Sequence, residues 1–236
     1  MNNKEIENLH LAENERQILK PWFKNSDAQK WHTNNQLRTS VVYSNEETIR
    51  YINDYPNLLK YLSKFEDIIS QYAYRWFDLH RSRQQRMFED TKIVAPQRSP
   101  RNTFGYNEIP WYASADVYFI TEKDKSFWLK YILAVLNSKL YYLWLYHRGK
   151  RKGEMLELYQ TPLSEIPIKK ISTEEQRLFI QVVDKILAIT KSGDYLENPA
   201  KKEEVNEYEK QIDQLVYKLY DLKPEEIEIV ENLSKK

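Results

Sequence analysis

Twenty residues from Phe127 to Tyr146 (FWLKYILAVLNSKLYYLWLY) constrain this chain more than any other stretch. At helical spacing they are apolar on nearly every side, and such a helix is stable only when surrounded by other protein. One buried helix is therefore expected from about Ser126 to Tyr146, with the remaining elements built round it. No run reaches the apolar length that spans a bilayer, and the N-terminus is polar rather than signal-like. The chain reads as cytosolic, with no membrane partner.

The 236 residues suffice for one large domain or two small ones. A short helix is expected around Glu13 to Leu19, stopped by Pro21, and a strand at Val41 to Tyr43. Ser44 with Glu47 three residues on has the capping-box pattern of a helix running to about Asn53. Leu58, Leu59, Leu62, Phe65, Ile68 and Ile69 recur at helical spacing after Pro56. From Arg75 to about Thr121 short aromatic and β-branched pieces alternate with Pro and Gly, the pattern of a small, mostly antiparallel sheet, with Val117 to Ile120 its clearest strand. Ser172 and Glu175 cap a helix to about Lys191, a long helix covers Glu203 to Tyr220, and Pro224 opens a last one. The class is α+β. A lead-in (1–30) precedes a central domain (31–170) and a helical C-terminal extension (171–236).

Net charge is only +1, but it is polarised. Arg75 to Arg101 carries seven basic and three acidic residues, Lys123 to Lys170 ten and four, and the stretch from Ile171 onward ten and fifteen. A basic middle with an acidic tail suits a phosphate-facing surface backed by solvated helices. Within that middle, the strand-like Lys92 to Ala95 runs into a proline-braced loop bearing Gln97, Arg98, Arg101 and Asn102. These side chains form forked or paired hydrogen bonds to base edges and phosphates. The same composition also describes a plain solvated connection. Arg81, Arg83 and Arg86 interleave with aromatic residues in RWFDLHRSRQQR, and Lys150, Arg151 and Lys152 form a basic turn suited to phosphate.

Several chemistries are missing. With no Cys there is neither a disulfide framework nor a thiolate metal site, and His10, His32, His80 and His147 have no ligand spacing. None of the four Gly residues lies in a phosphate-cradling turn between strand and helix. Asp90-Thr91-Lys92 is half of a metal-nuclease pattern, but three residues match too easily to carry that chemistry.

Taken together, WFDLHRSR, FEDTKIVAPQRS, FGYNE, VYFIT, YILAVLNSKL, PLSEIPIKKIS, EQRLFIQVVDKIL and the tail IDQLVYKLYDLKPEEIEIVE resemble the TaqI-like C-terminal specificity domain. This is the target-recognition part of adenine-specific DNA methyltransferases and fused type IIG restriction-modification enzymes. The resemblance covers the chain from about Leu11 onward. It implies a domain that reads duplex DNA in the major groove and positions an adenine for a catalytic domain, in cis or in trans. The catalytic half of such enzymes carries a Gly-containing S-adenosylmethionine motif and an Asn/Asp-Pro-Pro-aromatic motif, and neither is in this sequence. S-adenosylmethionine, and magnesium for any cleavage, are thus expected in the parent enzyme, and this chain is expected to be a non-catalytic part excised from it. The DNA-contact residues implied are Arg81, Arg83, Arg86, Gln97, Arg98, Arg101 and Asn102, with Lys150, Arg151 and Lys152 a second set. Alternative readings are half of a type I specificity subunit, a protein-interaction module with an acidic helical tail, and an autonomous nuclease.

Overall fold

The computed structural model describes Met1 to Ser234. In chain order the strands are β1 (Leu19–Phe23), β2 (Trp31–His32), β3 (Thr39–Val42), β4 (Lys92–Pro96), β5 (Arg98–Ser99), β6 (Gly105–Asn107), β7 (Tyr112–Ala113), β8 (Val117–Thr121), β9 (Lys150–Lys152) and β10 (Met155–Glu157). The helices are α1 (Asn3–Asn8), α2 (Glu13–Ile18), α3 (Pro56–Leu62), α4 (Glu66–Ile69), α5 (Arg86–Glu89), α6 (Leu129–Asn137), α7 (Lys139–Arg148), α8 (Gln160–Ser164), α9 (Thr173–Thr190), α10 (Pro199–Leu219) and α11 (Pro224–Ser234). Small mixed sheets packed with helices and a helical C-terminal region make the class α+β, as the sequence implies. Two compact units form, each discontinuous in sequence, so neither coincides with a contiguous segment of the chain.

The first unit takes Met1–Phe23, Asn35–Asp90 and Ile109–Ala113. Its sheet has the order β3-β1-β7, with β1 antiparallel to β3 and parallel to β7. Pro21 lies inside the central strand, opposite Ser40. The Ser40 N–H turns outward to the Met1 oxygen at 2.8 Å, so Pro21 sits at a pair whose amides face away from each other. β7 is alongside only Trp22 and Phe23, and the missing proline N–H therefore costs no ladder bond. Glu15 is fully buried and ties two helix starts together. Its carboxylate accepts from the backbone N–H groups of Ala12 (2.8 Å), Asn57 (2.7 Å) and Leu58 (3.0 Å) and from Asn57 Nδ2 (2.8 Å). Burial alone would raise its pKa, but these hydrogen bonds prevail and hold it below the ordinary glutamate value.

Ser44 and Glu47 do not start a helix. The Ser44 hydroxyl donates to the Phe77 oxygen, and Asn45 Oδ1 takes the N–H groups of Glu47 and Thr48, both at 3.0 Å, in a side-chain turn. A local hydrogen-bonding alternative outcompetes the helix, as short polar side chains readily allow.

The second unit takes Lys24–Asn34, Thr91–Glu108 and the chain from Ser114 onward. Its main sheet, β2-β6-β4-β8, is antiparallel except where β2 runs parallel to β6. Gly105 is required at that junction: a Cβ there would lie 2.5 Å from the His32 oxygen and 2.8 Å from that of Gln29. The long apolar segment packs in the core of this unit, but as two helices rather than one. Ser138 leaves the helix in an extended conformation (φ −74°, ψ 160°) and its hydroxyl caps α7 at the Tyr141 N–H. α9 begins with the expected Ser172–Glu175 capping box, and Asn198 caps α10 through Ala200 and Lys201.

Candidate nucleic-acid interface

Around the predicted reader loop most of the chain is strand. β4 is buried throughout, and the Lys92 ammonium is inside, 2.9 Å from Asn107 Oδ1, so it adds nothing to the basic surface. Asn102 is 5% exposed. Its Nδ2 donates to the main-chain oxygens of Leu136 (2.7 Å) and Ser138 (2.8 Å), where α6 gives way to α7. Asn102 is therefore a structural residue and leaves the set of DNA contacts, because both amide hydrogens are already bonded inside the core. Asn137 answers it, donating to the Phe104 oxygen at 2.8 Å and accepting from the Phe104 N–H at 3.1 Å. The LNSKL and RNTF segments are thus locked to each other by side-chain amides.

The basic turn 150–152 is not a mobile loop. It is β9, hairpinned to β10 through Gly153 in the left-handed region (φ 61°), and β10 pairs in turn with β5. Register decides which residues share a face. Glu157 lies opposite both Arg98 and Lys150, and Met155 lies opposite Lys152. Directly opposed residues, and those two apart along a strand, project on the same side. One face of this three-stranded sheet therefore carries Arg98, Lys150 and Lys152 beside Glu157 and Met155. The other carries buried Leu156 and Ser99. Two stretches some fifty residues apart in sequence meet here as one cationic patch.

Glu157 accepts from Arg98 Nε at 3.2 Å and orients its guanidinium, which stays 44% exposed. Lys150 lies 5.4 Å from the centre of the Tyr159 ring, and Arg151, on the edge strand, stacks 4.0 Å from that of Tyr146. Arg101 is exposed but bonded to the Ser234 oxygen at 2.9 Å and set over Tyr142 at 4.8 Å. Gln97 is half-buried, with its N–H given to Asn25 Oδ1 at 3.0 Å and to the Asp116 oxygen at 2.8 Å. Glu157 is missing from the sequence-based set. The alternation Met155-Leu156-Glu157-Leu158 after Gly153 is the hairpin signal that would have found it.

In the first unit, Arg81 and Arg86 are exposed. Arg81 holds a left-handed backbone (φ 54°), and Arg86 Nε donates to Gln84 Oε1 at 3.0 Å. Arg83 is half-buried, donating to the Ala113 oxygen at 2.7 Å with its guanidinium 4.9 Å from the Phe88 ring centre. These contacts tie Arg83 into the fold of this unit. Arg75, counted with the basic middle, is held bidentate by Asp78 at 2.7 Å on both bonds.

Among the described residues no cluster of three His, Cys, Asp or Glu side chains could hold a metal ion, and no helix is long and apolar enough to cross a membrane.

Helices and small sheets that hold a cationic sheet face define an α+β presenting scaffold. The model of the TaqI-like C-terminal specificity domain matches residues 46–168, and the chain belongs to that family. It is a target-recognition domain of the kind found in restriction-modification enzymes. The chain is 24% identical over 147 residues to the type II methyltransferase M.HincII of Haemophilus influenzae, covering 57% of this chain and 29% of that protein. It is 26% identical over 138 residues to the type II methyltransferase M.HindII of Haemophilus influenzae, covering 52% and 26%. Among solved structures, the type IIL restriction-modification enzyme MmeI in complex with DNA superposes with a TM-score of 0.68 at 12% identity, over 99% of this chain and 33% of that one. That likeness is one of fold. The chain spans less than a third of the length of the curated relatives it matches.

Proposed function

We propose that this chain reads double-stranded DNA for a site-specific, adenine-specific methyltransferase, acting beside a catalytic half supplied in cis or in trans. The carrying observation is the shared sheet face of Arg98, Lys150 and Lys152. On this reading Lys150 and Lys152 meet phosphates, and Arg98, aimed by Glu157, meets a base edge in the major groove. Gln97 and Arg101 flank that face, Arg151 offers a contact from the opposite side of the same sheet, and Arg81, Arg83 and Arg86 are the contacts offered by the first unit. The catalytic half takes the flipped adenine and binds S-adenosylmethionine, together with magnesium where it also cuts.

Titrating the purified chain with duplex DNA across salt concentrations tests the first part. Each neutralised phosphate contributes about −0.9 to the slope of log K against log salt, so the two lysines of the sheet face predict about −2. A flat salt dependence, or no duplex binding at low salt, removes the proposal. Adenine specificity is tested by recombining the chain with its catalytic half and locating the methyl group.

A further inference from the structure

The helical hairpin of α9 and α10 carries a surface feature that reading DNA does not use. Along its outer side runs a trough enclosing about 770 Å³. Leu178, Val182 and Leu215 form an apolar floor, and Gln181, Gln211 and Gln214 line the walls. The trough continues toward Lys169 and Ile171, sharing Leu178, Leu215 and Lys218 with a second hollow. Leu178 is 53% exposed, in a helix whose other large apolar residues are mostly covered.

Charge distinguishes this trough from an ordinary helix groove. Its acidic residues are already engaged: Glu207 with Lys210 at 2.5 Å, Glu175 in the capping box with Ser172, and Asp221 with Lys169 at 4.0 Å. Lys185 and Lys218 line the trough without an ion-pair partner among the described residues. Lys185 lies 5.4 Å from the centre of the Tyr208 ring, which fixes its level along α10. Lys218 is ten residues further on, about 15 Å at 1.5 Å per residue. A cation thus stands near each end of an apolar floor three helical turns long.

We infer that this trough is a docking groove for an acidic amphipathic helix of a partner protein. Carboxylates about ten residues apart on that helix meet Lys185 and Lys218, and apolar side chains between them cover Leu178, Val182 and Leu215. Floor burial supplies affinity. The two lysines select charge and register.

The test uses the whole chain and a fluorescent helical peptide of about 18 residues, with Glu about ten residues apart and Leu between them on the same face. A twin peptide carries Lys in place of the two Glu residues. Anisotropy titration is expected to show the acidic peptide binding at least about tenfold tighter than its twin. In Lys185→Glu/Lys218→Glu the preference inverts. Leu178→Asp, on an exposed position, abolishes binding of either peptide and leaves the circular dichroism spectrum and melting temperature unchanged. Equal binding of the two peptides, no saturable binding, or a preference that survives the double reversal overturns the proposal. Competition by duplex DNA that disappears in the double reversal also overturns it, because the lysines would then belong to a nucleic-acid surface.

Discussion

Asn102 and Asn137 lock each other's segments. The first bonds the main chain on both sides of the α6–α7 break, and the second pairs with both main-chain groups of Phe104. The fork of an amide suits it to this task as well as to reading adenine, which is why Asn102 resembles a base reader in sequence. Asn102→Ala removes the side-chain donor from the buried Leu136 oxygen and leaves the Ser138 oxygen with the Tyr142 N–H alone. It is expected to destabilise the chain by about 1–3 kcal/mol, with the sequence preference of whatever remains folded unchanged. Urea denaturation beside a binding-site selection checks both halves of that statement.

Arg98 is expected to behave in the opposite way. Exposed and held by one carboxylate at 3.2 Å, it contributes little to stability as an ion pair. Arg98→Ala should leave the denaturation midpoint almost unmoved and relax sequence preference at one position in the recombined enzyme, by about 1–3 kcal/mol of discrimination. Glu157→Gln should weaken the same preference by releasing the guanidinium. Unchanged specificity and unchanged affinity in Arg98→Ala would remove this residue from the interface.

Lys150→Ala and Lys152→Ala should weaken binding to all duplexes alike. Each is expected to bring the salt slope toward zero by about 0.9, since each is assigned one phosphate. A change of preferred sequence in either variant would reassign that lysine to a base.

Asp213 makes a prediction about pH. Burial raises its pKa from 3.8 to about 6, because the Lys139 N–H at 2.8 Å and the Lys139 ammonium at 3.5 Å do not offset desolvation. Burial also works against the charge on Lys139, but the Glu231 hydrogen bond at 2.7 Å leads the contacts that leave its pKa above the usual lysine value. Lys139 is thus stabilised chiefly by Glu231. Between pH 3.8 and about 6 the native state holds the Asp213 proton that the unfolded chain has released, so this group's contribution to stability falls as pH rises through that window and is level above it. Asp213→Asn abolishes the fall. Its stability relative to the parent chain should rise by on the order of 3 kcal/mol from pH 4 to pH 7. Denaturation at the two pH values gives the difference directly, and any constant effect of the substitution cancels.

Glu15 has the opposite sign. Its depressed pKa means that its contribution is fully present above the ordinary glutamate value and is lost as pH falls through the folded one. Glu15→Gln keeps one oxygen acceptor and loses the charge that strengthens four hydrogen bonds. A loss of about 2–3 kcal/mol at neutral pH is expected, shrinking in acid.

Local signals hold where a single element carries them. The Ser172–Glu175 box, Pro224 and the Val117 to Ile120 strand appear where sequence alone places them, because caps, proline and alternation act within a few residues. Signals that depend on distant partners resolve differently in the folded chain. Ser44 donates to the Phe77 oxygen instead of starting a helix, and the apolar run breaks at Ser138, where the distant Asn102 donates to the Leu136 and Ser138 oxygens and the distant Asp213 accepts the Lys139 N–H.

The chemical character of this protein was set by its sequence. The α+β class, the basic middle, the lack of thiol or phosphate-cradling chemistry and the family motifs all follow from residue type and near-neighbour spacing. Which cations share a surface was decided only by tertiary structure. Pairing register put Arg98, Lys150 and Lys152 on one face and Leu156 on the other, whereas core packing took Lys92 and Asn102 inside. A side chain's direction depends on the strand across from it, and that strand is far away in sequence.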